Sequence, residues 1–162
     1  MSIYLTTDTH LNHLRLLDFG RPEDFEKRII KSLDILKDTD ILIHLGDICI
    51  GKDYTCNKVF TNLKCKKILV RGNHDNKSIK WYYNVGWDFV CDKFELDIYG
   101  KIITFTHRPT REYRTINIHG HTHGNNHHLD EYFEFYGDKH IDISQELNNY
   151  RLYSLKKIIE KI

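Results

Sequence analysis

What the 162-residue sequence lacks narrows its reading first. Charge of one sign is missing: 24 Lys and Arg stand against 23 Asp and Glu, for a formal net charge of +1, and no run of basic residues stands out. No global field draws the chain to nucleic acid or to an anionic membrane, so nucleic acid is a possible partner and not a required one. Four cysteines, Cys49, Cys56, Cys65 and Cys91, form neither a CxxC pair nor a zinc-ribbon spacing. They read as reduced, buried thiols, with a disulfide as the alternative. No window nears the roughly 18 apolar residues needed to span a bilayer. The opening MSIYLTTDTH has neither the basic start nor the apolar stretch of an export signal, so the expected compartment is the cytoplasm. Repeats, low-complexity tracts and linkers are also absent. Residues 1–162 are therefore expected to fold as one domain, long enough to bury a core without staples.

What is present is an ordinary globular balance, 40% hydrophobic and 29% charged, with one oddity: 11 histidines, most of them in short clusters. Ile3 to Thr7, Asp40 to Leu45 and Lys67 to Arg71 read as apolar strands. Between them, Pro22 opens a helix with Glu23, Asp24 and Glu26 in its first turn and Phe25, Ile29, Leu33 and Leu36 on one stripe. Tyr54 to Leu63 is a second helix candidate and Ser78 to Asn84 a third. Strand alternating with helix favours parallel pairing in an α/β layered fold. The later part reads as short strands: Phe89-Val90, Phe94 to Tyr99, Lys101 to Phe105 after a turn at Tyr99-Gly100, Thr115 to His119, Tyr132 to Tyr136 and His140 to Ile143. Ser154 caps a last helix carrying Leu155, Ile158 and Ile159.

The polar clusters share a placement. Asp8 and His10, Asp47, Asn73 and His74, and His107 each lie just past the C-terminal end of an apolar run. Loops at that edge of an α/β sheet are held rigidly yet open to solvent, which is where ligand and catalytic residues gather. Carboxylates and imidazoles converging there would repel one another and leave buried polar groups unpaired, a cost that divalent cations remove. Carboxylate, imidazole and amide donors without thiolate suit Mn2+, Fe or Zn2+ better than a soft metal or an all-oxygen calcium site. Two such ions about 3.5–4 Å apart are the clamp used for in-line displacement at phosphorus.

In order, Asp8-Thr9-His10, Gly46-Asp47, Gly72-Asn73-His74-Asp75, Thr106-His107 and Gly120-His121-Thr122-His123 resemble the signature of the calcineurin-like metallophosphoesterases. Each motif is weak alone; five in order at strand ends are specific. The resemblance runs from residue 5 to about 123. It implies an α/β fold, a two-sheet αββα-type sandwich flanked by helices. It also implies two divalent metal ions, Mn2+ first, with Fe, Zn2+ or Ni2+ as alternatives. Asp8, His10, Asp47 and His123 look like ligands of one ion, with Asp47 bridging to a second that takes Asn73, His107 and His121. His74 is similar to the family's residue that stabilises the transition state or protonates the leaving group, while a metal-bridging hydroxide attacks phosphorus. Two positions depart from the family. Protein-phosphatase relatives carry an acid where Ile50 stands, which argues against that activity and leaves open what orients His74; and the usual Gly-His is here Thr106-His107. The Asp8 to His13 opening and the Phe19-Gly20-Arg21-Pro22 segment resemble the small prokaryotic and phage members, placing the chain in a bacterium or a phage-infected cell.

Blander readings apply elsewhere. His44 reads as a core histidine, His119 as a support for the motif that follows it, and His127 and His128 as solvated. Asn12 and His13 line a substrate pocket or lie on the surface; Arg71 pairs with an acid or holds phosphate; Arg108 reaches a phosphate oxygen. Trp81, Tyr82, Tyr83 and Trp87 read as core and lid packing. The expected activity is hydrolysis of small or nucleotide-like phosphodiesters in a shallow, open pocket. A nuclease of the same fold and a catalytically silent metal-binding scaffold are the rivals.

Overall fold

The computed structural model describes residues 1–124 and 139–162. In chain order the strands are β1 (Ile3–Thr6), β2 (Ile41–His44), β3 (Lys66–Val70), β4 (Phe89–Cys91), β5 (Lys93–Ile98), β6 (Lys101–Thr106), β7 (Ile116–His119), β8 (His140–Asp142) and β9 (Tyr153–Ser154). The helices are α1 (Phe25–Ser32), α2 (Asp53–Thr61), α3 (Ile79–Val85) and α4 (Leu155–Ile159). Among the described residues one sheet runs β4-β3-β2-β1-β9 and the other β5-β6-β7-β8. β1 to β4 pair in parallel, as the strand-helix alternation predicts, and β9 closes the edge antiparallel to β1. The β5-β6 hairpin turns through Tyr99 and Gly100, both at positive φ (54° and 72°), the geometry that matches the twist of two antiparallel strands.

Alternation along each strand sorts the core into layers. On β2, Ile43 joins Leu5, Val70, Ile103, Phe105 and Ile118 between the sheets. Its neighbour Leu42 points the other way and packs with Leu69, Phe60, Tyr82 and Trp87 under α2 and α3. The result is a mixed α/β sandwich of two sheets with flanking helices, the fold class read from the sequence. His44 is fully buried against Phe60 and Trp87 and bonds Thr9 Oγ1 at 2.9 Å, a core histidine. Tyr82 and Trp87 are core, while Tyr83 is exposed. The four cysteines are free thiols.

Several boundaries moved for physical reasons. Pro22 to Asp24 form a turn and regular helix begins at Phe25; Leu33–Ile35 then tightens into a 3-10 turn before Leu36 goes extended. Two further 3-10 turns, Leu14–Leu17 and Gln145–Asn148, and the two-residue β9 carry no periodicity that a sequence pattern could catch. The strand expected at Tyr132 to Tyr136 and the pair His127 and His128 lie outside the described residues. Among the described residues no helix is long and apolar enough to cross a membrane.

Candidate metal centre

Pairing between β1 and β2 continues past both strand ends. Asp8 N donates to Gly46 O at 2.9 Å, His10 N to Asp47 O at 3.0 Å and Leu11 N to Ile48 O at 2.8 Å. The two loops are thus zipped together while their side chains turn inward. They manage this with left-handed backbone: Asp8 (φ 46°), His10 (45°) and Asp47 (57°), with His121 (71°) and His123 (54°) across the cleft. Asp, Asn and His tolerate that region best among residues with a side chain. Close approach does the rest. A Cβ on Gly120 would overlap Thr7 Oγ1 and Asp8 Oδ2, and one on Gly72 would overlap Asp47 Oδ1, so both positions need glycine.

Two groups of donor atoms result, each within 4.8 Å of one another: Asp8, His10 and His123, and Asp47, His107 and His121. In the first, Asp8 Oδ2 accepts from Thr7 Oγ1 and His121 N at 2.8 Å each, which leaves Oδ1 buried without a partner; His10 Nε2 is likewise buried and unpartnered. Asp8 Oδ1 lies 3.9 Å from both His10 Nε2 and His123 Nε2. In the second, His107 Nδ1 donates to Leu45 O at 2.7 Å and turns Nε2 to within 3.1 Å of both Asn73 Oδ1 and His121 Nδ1. Asp47 stands between them: Oδ1 accepts from His74 N at 2.8 Å, and Oδ2 lies 3.6 Å from His10 Nε2 and 3.4 Å from His107 Nε2. Buried polar atoms are ordinarily satisfied. Unpartnered oxygen and nitrogen atoms aimed at shared points, with a carboxylate and imidazole donor set, fit divalent cations.

Electrostatics agree. Burial pushes the Asp8 carboxyl up to about 6, opposed by the charges of His107 and His123. Burial holds His10 down at about 2, so its ring is neutral and able to ligate. Burial acts against the charge of Asp47 too, yet bonding to and the field of His107 win and hold it below the usual carboxylate range. The same pairing lifts His107 to about 9 against its own burial.

The remaining sequence-predicted residues divide. His74 opens onto the cleft with 43% of its side chain exposed, Nε2 3.9 Å from Asp47 Oδ2 and its ring 5.4 Å from that of His10. Asp75 braces this corner by accepting from the main-chain N–H of Asp47 (2.7 Å), Gly72 (2.8 Å) and Ile48 (3.2 Å). Arg108 donates to Asn73 Oδ1 at 3.3 Å and so reaches the site. His13 lies against His10, Nδ1 to Nδ1 at 3.4 Å. Asn12 spends its amide on Ile50 O at 2.8 Å, away from the cleft. Arg71 pairs in a fork with Asp92 at 2.8 and 3.1 Å, the structural one of its two readings. His119 bonds Gly120 O at 3.0 Å and turns its ring towards His140, so any support it gives runs through the Gly120 turn. The cleft, about 680 Å³, is lined by Asp47, Asn73, His74, His121 and His123.

Arg21 and Glu146 line the same cleft and escaped the sequence reading. Arg21 sits in the Phe19 to Pro22 segment, which marked only a likeness, and it is 5% exposed. Glu146 follows 125 residues later in a stretch without periodicity. No local signal joins them.

The calcineurin-like phosphoesterase family model matches residues 1–160. A protein of Methanocaldococcus jannaschii, "Uncharacterized protein MJ1445", is 33% identical over 175 residues, covering 99% of this chain and 90% of that protein. Among solved structures, the "Protein of Unknown Function AQ665 from Aquifex aeolicus" aligns with a TM-score of 0.78 and 26% identity over 99% of both chains. A "Novel Archaeal Phosphodiesterase" aligns with a TM-score of 0.57 and 20% identity, over 96% of this chain and 99% of that one, and shares the fold.

Proposed function

The chain belongs to the calcineurin-like phosphoesterase family, a metal-dependent phosphoester hydrolase fold, and from that premise we propose that it is a two-metal phosphodiesterase acting on small or nucleotide-like diesters. The observation that carries this reading is the position of Asp47 Oδ2, within 3.6 Å of His10 Nε2 and 3.4 Å of His107 Nε2. One carboxylate shared by two donor groups is what a bridged pair of cations requires. In this reading Asp8, His10, His123 and Asp47 hold one ion, and Asp47, Asn73, His107 and His121 the other. Mn2+ is the favoured metal. When bound, two such cations neutralise phosphoryl charge and make water acidic enough to attack at neutral pH.

The protein's own groups supply the rest. His74, exposed at the cleft beside Asp47, is placed to give a proton to the departing oxygen. Arg108, anchored on Asn73, offers its fork to a non-bridging phosphate oxygen. Both sheets contribute to the cleft, β1 to β3 on one side and β6 and β7 on the other, which supports treating residues 1–162 as one domain. A polymer substrate calls for a basic groove beside the donor groups. The groove lined by Arg28, Lys31 and Arg151 contains no residue of either donor group.

The test is a panel of aryl and nucleotide diesters and monoesters assayed with added Mn2+, with and without chelator. We expect diesters to be cleaved faster than monoesters, and chelation to abolish both. A preference for one monoester by orders of magnitude rejects the diesterase reading; efficient digestion of long single- or double-stranded polymers turns it into a nuclease.

A further inference from the structure

Arg21 reaches the metal centre without offering it a ligand. Its guanidinium donates to Asp8 O at 2.8 Å, to Thr9 O at 3.2 Å and to Glu146 Oε1 at 2.8 Å, and its Nη2 lies 3.3 Å from His123 Nδ1. The flat faces of the group lie near the rings of Phe25 and Tyr150, 5.1 and 5.7 Å to the centroids. Glu146 Oε1 in turn accepts from His123 Nδ1 at 3.2 Å. A single buried fork thus ties together the main chain on which Asp8 and His10 stand, an aromatic wall, and the acid that holds His123.

We propose that Arg21 and Glu146 are positioning residues for the Asp8 half of the metal centre: Glu146 selects which nitrogen of His123 faces the ion, and Arg21 fixes both Glu146 and the turn carrying Asp8 and His10. An imidazole can present either ring nitrogen. A carboxylate accepting from Nδ1–H leaves Nε2 bare, and Nε2 is the atom 3.9 Å from Asp8 Oδ1. Asp8 and His10 sit at φ 46° and 45°, where the carbonyls of residues 8 and 9 turn towards Arg21. Lysine, a point charge, cannot span two carbonyls and a carboxylate in one plane. The guanidinium also offsets the charge of a third acid beside Asp8 and Asp47. The Asp47 half has no such device, since His107 Nδ1 bonds the main-chain oxygen of Leu45. The inference rests on the two-metal reading above.

The experiment is Mn2+ titration of the whole protein by calorimetry, paired with cadmium NMR of the loaded protein. Wild type, Glu146→Gln, Arg21→Lys, Asp8→Asn and His107→Ala are compared, and the fold of each metal-free variant is checked by circular dichroism. Wild type should show two binding steps and two cadmium signals. Glu146→Gln and Arg21→Lys should each weaken one step by about ten- to a hundredfold, the usual effect of losing a partner behind a ligand. That step should be the one Asp8→Asn removes, and the other signal should not move. The weakening should appear in Glu146→Gln even if Arg21→Lys fails to fold. Equal weakening of both steps, or of neither, overturns the inference. So does complete loss of one ion in Glu146→Gln, which would make Glu146 a ligand. A wild type that binds a single ion defeats the two-metal reading instead; the inference then stands or falls on whether Glu146→Gln weakens that ion.

Discussion

The two donor groups of the candidate metal centre are braced by different mixes of main chain and side chain. Around Asp47 two contacts come from the main chain, where His74 N bonds its carboxylate and Leu45 O orients His107, while the side chains of Asp75 and Arg108 brace the adjoining loops and Asn73. Around Asp8 side chains carry more of the work: Thr7 Oγ1 bonds the carboxylate beside His121 N, Glu146 Oε1 accepts from His123 Nδ1, and Arg21 donates to Asp8 O. Main-chain supports persist through most substitutions. Side-chain supports can be removed one at a time. The contacts made directly to the donor side chains are therefore easier to remove by single substitutions in the Asp8 half than in the Asp47 half.

Asp47, which faces both donor groups, is the residue whose loss should matter most. Asp47→Asn should lower turnover by about a thousandfold or more, because it weakens the charge clamp on both sides at once. Elemental analysis should find both ions depleted; retention of two ions with full activity would remove Asp47 from the shared position. Next, Gly120→Ala drives a methyl into Thr7 and Asp8 Oδ2 and should cost about a hundredfold in turnover, with one ion lost and the other kept. Loss of both ions would mean the halves are not separable. His74→Asn should then reduce kcat by about a hundredfold while metal content stays at the wild-type level, since the ring only faces the cleft. Metal loss in that variant would move His74 into the Asp47 half.

The last test concerns stability and not turnover. The Asp8 carboxyl is raised from 3.8 to about 6 in the folded, metal-free protein, so the native state holds that proton more tightly than the unfolded chain does. Its contribution is fully present below about pH 4 and is lost as pH rises through about 6. Asp8→Asn should therefore stabilise the chelated protein at pH 7 by about 3 kcal/mol and leave it unchanged at acid pH, as read by urea unfolding. No gain at pH 7 would mean that the buried carboxylate is already paid for by its neighbours.

Much of this site can be read in the residues because its signals are local. The ligand-type residues follow apolar runs, and runs such as Ile41–His44 and Lys66–Val70 are recognisable as short apolar stretches of strand length. Parallel pairing and the convergence of the strand ends follow from alternating strands and helices. What could not be read is held by partners remote in sequence. Arg21 has no meaning until Glu146 is beside it, 125 residues on, and Thr7 gains its role only when Gly120 brings His121 N to the same carboxylate. β9 was missed because two residues carry no period. The role of Asp75 was missed because its three N–H partners come from two different strand ends.

Five of the ligand-type residues, Asp8, His10, Asp47, His121 and His123, stand at φ between 45° and 71°. Asp, Asn and His enter that region with least difficulty, and longer or branched side chains do so at a cost of about 1–2 kcal/mol each. The choice of donor residue is thus constrained by the course of the loops as well as by chemistry. An engineer who swapped aspartate for glutamate, or histidine for cysteine, to attract another ion would meet resistance from the polypeptide before the coordination chemistry came into play. Retuning such a centre would mean redrawing its turns together with its ligands.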